Sequence, residues 1–431
     1  MPPTDRTPLI ENGNGARPPK PFFTRLADSL SVQGQPSWLQ SYKFFIFGSY
    51  VNVLLVFVPL SIISHTLNWD AALRFGFSFI AIMPLAAMLG TATEQLSLKL
   101  GQTLSGLLNA SFGNAVEIIV GIAALLQGEL RIVQTSLLGS ILSNILLVLG
   151  CSFLAGGIAF PESNFQVTAA QASSSLMTLA CITLVIPAAY HSSKSHAGLD
   201  TNGTAIAMPV MNAVEKARIE LGLDSLDADS YEGLKIISRG TAILLLLVYI
   251  AYLVFQLKTH AYLFAPESAH GEEEEEEEPK MNALAAGSGL LLVTLITSFC
   301  ADYLVASIEE TAERYSIPKP FIGLILLPIV ANAAEHVTSV WMAMKNKMEL
   351  TIGICVGSSI QIAAFVVPLL VIVGWITHHD LTLFFADFET IVLFVSVLLV
   401  NFLIQDGKSN YMEGLMLITL YLVIALAFWV S

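Results

Sequence analysis

Gly113-Asn114-Ala115-Val116-Glu117 returns as Ala331-Asn332-Ala333-Ala334-Glu335, 218 positions further along the chain. Each copy sets an Asn and a Glu three residues apart among small and apolar residues, so on a helix both polar side chains share one face. The same offset, with no gap, carries Gly139-Ser140 onto Gly357-Ser358 and Ser143 onto Gln361. The chain reads as two matched halves with one acid at the heart of each.

Both acids lie inside long apolar runs. An ionised carboxylate near a bilayer centre costs from a few to more than about ten kcal/mol, so it must be protonated, paired or holding a cation. No Lys or Arg falls within the cores of these runs; the nearest in sequence are Arg131 to Glu117 and Lys345 to Glu335, both toward run ends. His336 is the one histidine inside a span. The remaining partners are mobile ones, protons and metal ions, unless the acids stay protonated and serve only in hydrogen-bonded packing.

A mean hydropathy of +0.70 with 55% hydrophobic and 13% charged residues, arranged in runs of about 20, describes a polytopic helical membrane protein. A soluble chain would leave these runs nothing to pack against. The net charge of −14 argues against nucleic acid as a partner and is compatible with attraction of cations. Cys151, Cys181, Cys300 and Cys355 all sit in apolar runs at spacings that form neither a disulfide framework nor a zinc motif.

The fold class expected is an all-α polytopic membrane protein with about 11 transmembrane helices, one N-terminal helix plus two inverted five-helix repeats. The spans run near 44–64, 72–94, 104–126, 132–158, 167–190, 237–258, 284–308, 320–344, 350–376, 387–405 and 411–430. Residues 1–40, rich in Pro, Gly, Asn and Ser, read as a disordered cytosolic tail, within which Asp5-Arg6-Thr7-Pro8-Leu9-Ile10 fits an acidic dileucine sorting pattern. Then come an extra N-terminal transmembrane helix (41–70), helices 2–5 of the first repeat (71–190), a polar luminal loop (191–236) and helix 6 (237–260). An acidic cytosolic linker (261–282) joins them to helices 7–11 of the second repeat (283–431). Pro84, Pro328 and Pro368 interrupt spans at membrane depth, where a cavity or neighbouring helices take up the freed backbone groups. Five of the Lys and Arg residues precede the first span, which places the N-terminus in the cytosol and the C-terminus in the lumen. Five spans per half invert the second copy relative to the first, the arrangement of secondary transporters that bind substrate at the repeat interface. Glu117 and Glu335 are expected to face each other there.

Glu272, Glu273, Glu274, Glu275, Glu276, Glu277 and Glu278 form an unbroken acidic run between the halves. Like charges four apart oppose a helix unless cations screen them, so the run is either a solvated tether or a cytosolic calcium collector.

The paired stretches GNAVEIIVGIAALLQGELRIVQTSLLGSILSN (Gly113–Asn144) and ANAAEHVTSVWMAMKNKMELTIGICVGSSIQ (Ala331–Gln361) resemble the two signature repeats of the calcium/proton exchanger (CAX) family, within the calcium/cation antiporter superfamily. The resemblance covers about 44 to 430 and is closest to the fungal vacuolar exchangers. It implies import of cytosolic calcium into an acidic vacuolar lumen in exchange for protons. By the same resemblance Glu117 and Glu335 are the paired calcium-binding acids. Asn114, Asn332, Ser140, Ser143, Ser358 and Gln361 are the polar lining, and Gly113 and Ala331 turn backbone carbonyls toward the ion. Glu94 resembles an acid at the cytosolic mouth, and the acidic segment resembles a regulatory acidic helix, although here it is an uninterrupted Glu run.

Calcium takes six to eight oxygen ligands, which two Glu, two Asn, Ser, Gln and freed carbonyls can supply. No Cys or His cluster favours zinc or copper, while manganese, which accepts similar oxygens, is a second candidate substrate. A carboxylate holds either calcium or a proton, and that competition couples the two fluxes without any cofactor. Asp302, Glu309, Glu310 and Glu313 near the end of span seven are candidates for a luminal proton path, the last three reading more readily as solvated helix-end acids. His336 is readable as a proton relay or as packing. A sodium/calcium exchanger shares this architecture, a cation channel could use opposed acids, and a membrane metalloprotease would need an HExxH motif that the sequence lacks.

Overall fold

The structure, a computed structural model, describes residues 36–100, 102–198, 228–261 and 279–430. The acidic run at 272–278 and the pattern at 5–10 lie outside the described residues. In chain order the helices are α1 (Trp38–Phe47), then, after a 3-10 segment (Tyr50–Val56), α2 (Phe57–Thr66), α3 (Ala71–Leu100), α4 (Gln102–Phe112), α5 (Ala115–Leu126), α6 (Leu130–Ala159), α7 (Val167–Gly198), α8 (Ala228–Val254), α9 (Ala283–Ala306), α10 (Ile308–Tyr315), α11 (Lys319–Ala331), α12 (Ala333–Met344), α13 (Met348–Ile376), α14 (Asp387–Leu403) and α15 (Tyr411–Trp429). Two short strands, β1 (Ser163–Asn164) and β2 (Lys408–Ser409), pair antiparallel.

Apolar runs make the helices, and polar caps set where several begin. Asn282 accepts from Ala285 N at 2.7 Å to start α9, and Asn410 accepts from Met412 N and Glu413 N to start α15. By length and composition seven described helices could cross a membrane, or nine if each bent pair counts as one. Those pairs are α1 with residues 50–66, bent by 86°, and α11 with α12, bent by 58°. The expected eleven exceeds this count at two places. The span expected near 104–126 is two helices, α4 and α5, parted at Gly113-Asn114, and α14 has only 17 residues. Helix reaches into both ends of the polar stretch 191–236, since α7 continues to Gly198 and α8 starts at Ala228.

The duplication read from sequence reappears in the backbone. α5 and α12 each begin one residue after their Asn and each run for 12 residues. α6 and α13 each contain a π-helical segment at the matched Ser and Gln positions, Ser143–Val148 beginning on Ser143 itself and Ile362–Val366 beginning one residue after Gln361. Such widened turns shift a helix face locally and are frequent at functional sites. α6 is the most enclosed helix and forms the axis of the core, while α3 and α9 lie against one another along their lengths.

At the opposite end of α3 from Glu94, ion pairs tie the helices together. Arg74 pairs with Glu310, Asp70 with Arg314 and Lys319 with Glu309, joining the starts of α3 and α11 to α10. Glu309 and Glu310 are therefore paired surface acids. Nearby, Lys235 and Arg239 of α8 grip Asp380 at 3.3 and 3.1 Å, and Arg131 of α6 pairs with the fully buried Glu389 of α14.

Candidate ion-binding site

Asn114 and Asn332 occupy the two helix breaks, and neither side chain caps the helix that follows it. Their amides are thus free to reach across the core. Glu117 and Glu335 stand in the first turns of α5 and α12, where the positive end of the helix dipole favours an anion. Gly113 precedes the first break in a tight space: a Cβ there would lie 2.5 Å from the Asn109 carbonyl and 3.4 Å from Gln361 Oε1. At a break the preceding helix gives up its last carbonyls to whatever fills the gap.

A hydrogen-bond network links the halves around the acids. Asn114 Nδ2 donates to Gln361 Oε1 at 2.5 Å, and Asn332 Nδ2 donates to the Ser140 carbonyl at 3.2 Å. Ser358 Oγ lies 2.7 Å from Asn114 Oδ1 and 3.1 Å from Glu335 Oε1, and it accepts from Asn144 Nδ2 at 3.1 Å. On the two acids and the amides of this network, four buried acceptor oxygens have no hydrogen-bond partner among the described residues: Glu117 Oε1, Glu335 Oε2, Asn332 Oδ1 and Asn144 Oδ1. An unmet buried acceptor costs about 1–3 kcal/mol. Acceptors without donors call for protons or a cation, and neither acid forms an ion pair among the described residues.

Both acids line one cavity of about 540 Å³. Its wall runs from Glu117, Glu335, Gly113 and Ala331 past Gly90, Thr91 and Thr338 to the exposed Glu94 and to Asn109. On the other side of Glu117 lies a space of only about 20 Å³, lined by Ile82, Val120, Leu304 and Leu327. That is room for about one water. Glu117 and Glu335 share the wide cavity, and beyond Glu117 the described residues leave only this narrow space with mostly apolar lining.

The expected residues divide accordingly. Asn114, Glu117, Asn332, Glu335, Ser358 and Gln361 come together through bonds or a shared wall, Ser140 joins through its carbonyl and lines the small void, and Glu94 lies in the vestibule. Ser143 is buried but lines neither space. Asp302 accepts from Gln127 Nε2 at 2.6 Å on an exposed surface, away from both spaces, and the half-buried His336 also lines neither. Asn144, absent from the expected set, is fully buried and bonded into the network. Its signal was a third polar residue, four after Ser140 and directly after Ser143, in a stretch whose other residues are apolar.

Among the described residues no group of three or more His, Cys, Asp and Glu side chains gathers. The donor set is two carboxylates with amide, hydroxyl and carbonyl oxygens, which suits a hard cation such as calcium.

The sequence matches the family described as "Sodium/calcium exchanger protein" over residues 70–258 and 286–430. It is 46% identical over 388 residues to a vacuolar calcium ion transporter of Schizosaccharomyces pombe, covering 90% of this chain and 86% of that one. It is 39% identical over 446 residues to vacuolar cation/proton exchanger 2 of Oryza sativa subsp. japonica, covering 98% and 94%. Among solved structures, native YfkE superposes with a TM-score of 0.68 at 32% identity, covering 88% of this chain and all of that one.

Proposed function

The chain belongs to the sodium/calcium exchanger protein family, and from that premise we propose that it is a calcium/proton antiporter of the vacuolar membrane, carrying cytosolic calcium into an acidic lumen. The names of the fungal and rice relatives support the ion, the counter-ion and the organelle. What carries the reading on this chain's own residues is the pair Glu117 and Glu335, lining one cavity and lacking any basic partner among the described residues.

The chain crosses the bilayer eleven times, with α4–α5 and α11–α12 as broken spans and the five-helix halves inverted about the site. With the N-terminus cytosolic, the large cavity opens to the cytosol and the apolar seal faces the lumen. Calcium enters past Glu94 and is held by the two carboxylates, the Asn114 and Asn332 carbonyl oxygens and backbone carbonyls at Gly113 and Ala331. α3 and α9 then rock against the site, closing the vestibule and parting Ile82 from Leu304 and Leu327. Protons from the lumen neutralise the carboxylates, calcium leaves, and the protonated site returns. Two carboxylates give at least two protons per calcium. The same oxygens accept manganese.

Proteoliposomes with an acidic interior test the coupling. Uptake of radiocalcium that collapses with a protonophore and ignores an imposed sodium gradient is expected. Uptake driven by sodium, or persisting without any gradient, would overturn the proposal in favour of a sodium-coupled exchanger or a channel.

A further inference from the structure

Contacts at the Arg74 end of α3 sort the helices into two bodies. α3 and α9 lie against one another along their lengths, and α10 continues α9 within one span. Arg74 pairs with Glu310 and Asp70 with Arg314, fastening the start of α3 to α10. α2 joins this body through the His65 ring stacked on Tyr303, centroids 4.0 Å apart, and through the Ser61 and Ser78 hydroxyls, 2.7 Å apart. The second body is close-packed in its own right. A Cβ on Gly323 of α11 would stand 2.0 Å from Thr135 Oγ1 of α6, and one on Gly121 of α5 would stand 2.5 Å from Leu370 Cδ1 of α13. The narrow space beside Glu117 lies where the bodies meet, with Ile82 and Leu304 from the first and Val120 and Leu327 from the second. Two polar contacts span that seam. Gln127, directly after the helix that carries Glu117, donates from Nε2 to Asp302 Oδ1 at 2.6 Å and to the Asp302 carbonyl at 3.1 Å. Lys319 Nζ at the start of α11 reaches Glu309 Oε1 of α10 at 3.2 Å.

We propose that Gln127 with Asp302, and Lys319 with Glu309, form a clasp that holds the luminal end shut and opens once in each transport cycle. A body moving as a unit can part Ile82 and Leu304 from Val120 and Leu327 only by breaking the contacts that join it to α5 and α11. Arg74 with Glu310 and Asp70 with Arg314 stay made throughout, because both partners of each pair travel together. Exposed contacts suit the task. Each is worth little, so the clasp biases the equilibrium toward the closed state without locking it. Gln127 and Asp302 are positioning residues: both stand outside the ion cavity and act on exchange through the placing of α9.

This inference rests on the proposed alternating access, and two measurements keep their failures apart. In the first, the native cysteines are replaced by alanine, and cysteine pairs are introduced at Gln127 with Asp302 and at Asp70 with Arg314. A reducible bis-methanethiosulfonate long enough for each pair is applied to the full chain in proteoliposomes, and the links are verified by mass spectrometry. The link across the seam removes the luminally open state, so radiocalcium uptake should fall at least about tenfold and recover on reduction. The link within the first body should leave uptake within about twofold of the unlinked protein. Uptake through the linked seam, or equal arrest by the Asp70–Arg314 link, overturns the clasp. The second measurement needs no transport and keeps the native cysteines, three of them buried and Cys151 half-buried. Adding Gln127→Leu to Leu304→Cys should raise maleimide labelling from the luminal face about threefold, the worth of one exposed contact. An unchanged rate overturns the clasp. Absence of calcium uptake by the wild type contradicts the proposed function instead, and labelling then decides the clasp alone, as it does if the alanine background fails to fold.

Discussion

Asn114 and Gln361, 247 residues apart in sequence, meet through a 2.5 Å amide hydrogen bond, and the second half holds no counterpart to it. Position 143, which matches Gln361, is a serine too short to extend an amide, and Asn332 turns instead to the Ser140 backbone carbonyl at 3.2 Å. The two half-sites are alike in sequence but bonded differently.

Gln361→Ser, which copies the first half onto the second, leaves the Asn114 amide without its acceptor. Losing one such bond costs about 1 kcal/mol, so the KM for calcium should rise about fivefold with turnover largely kept. Uptake kinetics over a calcium series check this; an unchanged KM would show that the bond does not orient Asn114 for binding.

The matched glycines are also unequal. A Cβ on Gly139 would stand 2.1 Å from the Leu324 carbonyl, where α6 touches α11, whereas a Cβ on Gly357 meets nothing within 4 Å. Gly139→Ala should therefore force the helices apart at a cost of about 1–3 kcal/mol, and Gly357→Ala should stay within about 0.5 kcal/mol of the wild type. Thermal melts in detergent distinguish them, and equal melting temperatures would contradict the packing described.

Much of this architecture was legible because a bilayer leaves polar residues few roles. Asn and Glu at a matched offset in apolar runs gave the two centres, and the helix breaks fall on those same residues. What sequence could not give is which way a side chain turns at the break. Ser143 is matched to Gln361 yet takes no part in the bonds around Asn114, because its side chain is too short to extend the amide that Gln361 offers. Asp302 and His336 have the right chemistry but point to other surroundings, and Asn144 was hidden within a motif whose earlier serines drew the reading. The span expected at 104–126 is interrupted in the structure, a feature hidden from the sequence because hydropathy is continuous across a break of only two residues.

Arg131 and Glu389 form the deepest ion pair among those described, with the Glu389 carboxylate fully buried and one guanidinium nitrogen at 3.0 Å. Arg131→Met strands a buried charge and should destabilise by about 3–5 kcal/mol, while adding Glu389→Leu should restore most of the loss. Melting of the single and double variants gives the coupling. Additive effects would mean that the pair is incidental.

One-sided access predicts a pattern of thiol labelling. Of the native cysteines three are buried and Cys151 is half-buried. Cysteines introduced at Thr91 and Thr338 should react quickly with a membrane-impermeant maleimide from the cytosolic face, and those at Leu304 and Leu327 at least about tenfold more slowly from either face. Quick labelling at Leu304 from the lumen would place the seal on the wrong side.

The central claim is that two carboxylates carry both ions. Proteoliposomes with an acidic interior, loaded with a pH-sensitive dye and supplied with radiocalcium outside, report calcium entry and proton exit together. Glu117→Gln and Glu335→Gln, each confirmed as folded, should abolish both signals together, because a neutral amide can neither give up a proton nor balance calcium's charge. Coupled calcium entry and proton exit surviving in either variant would contradict the account.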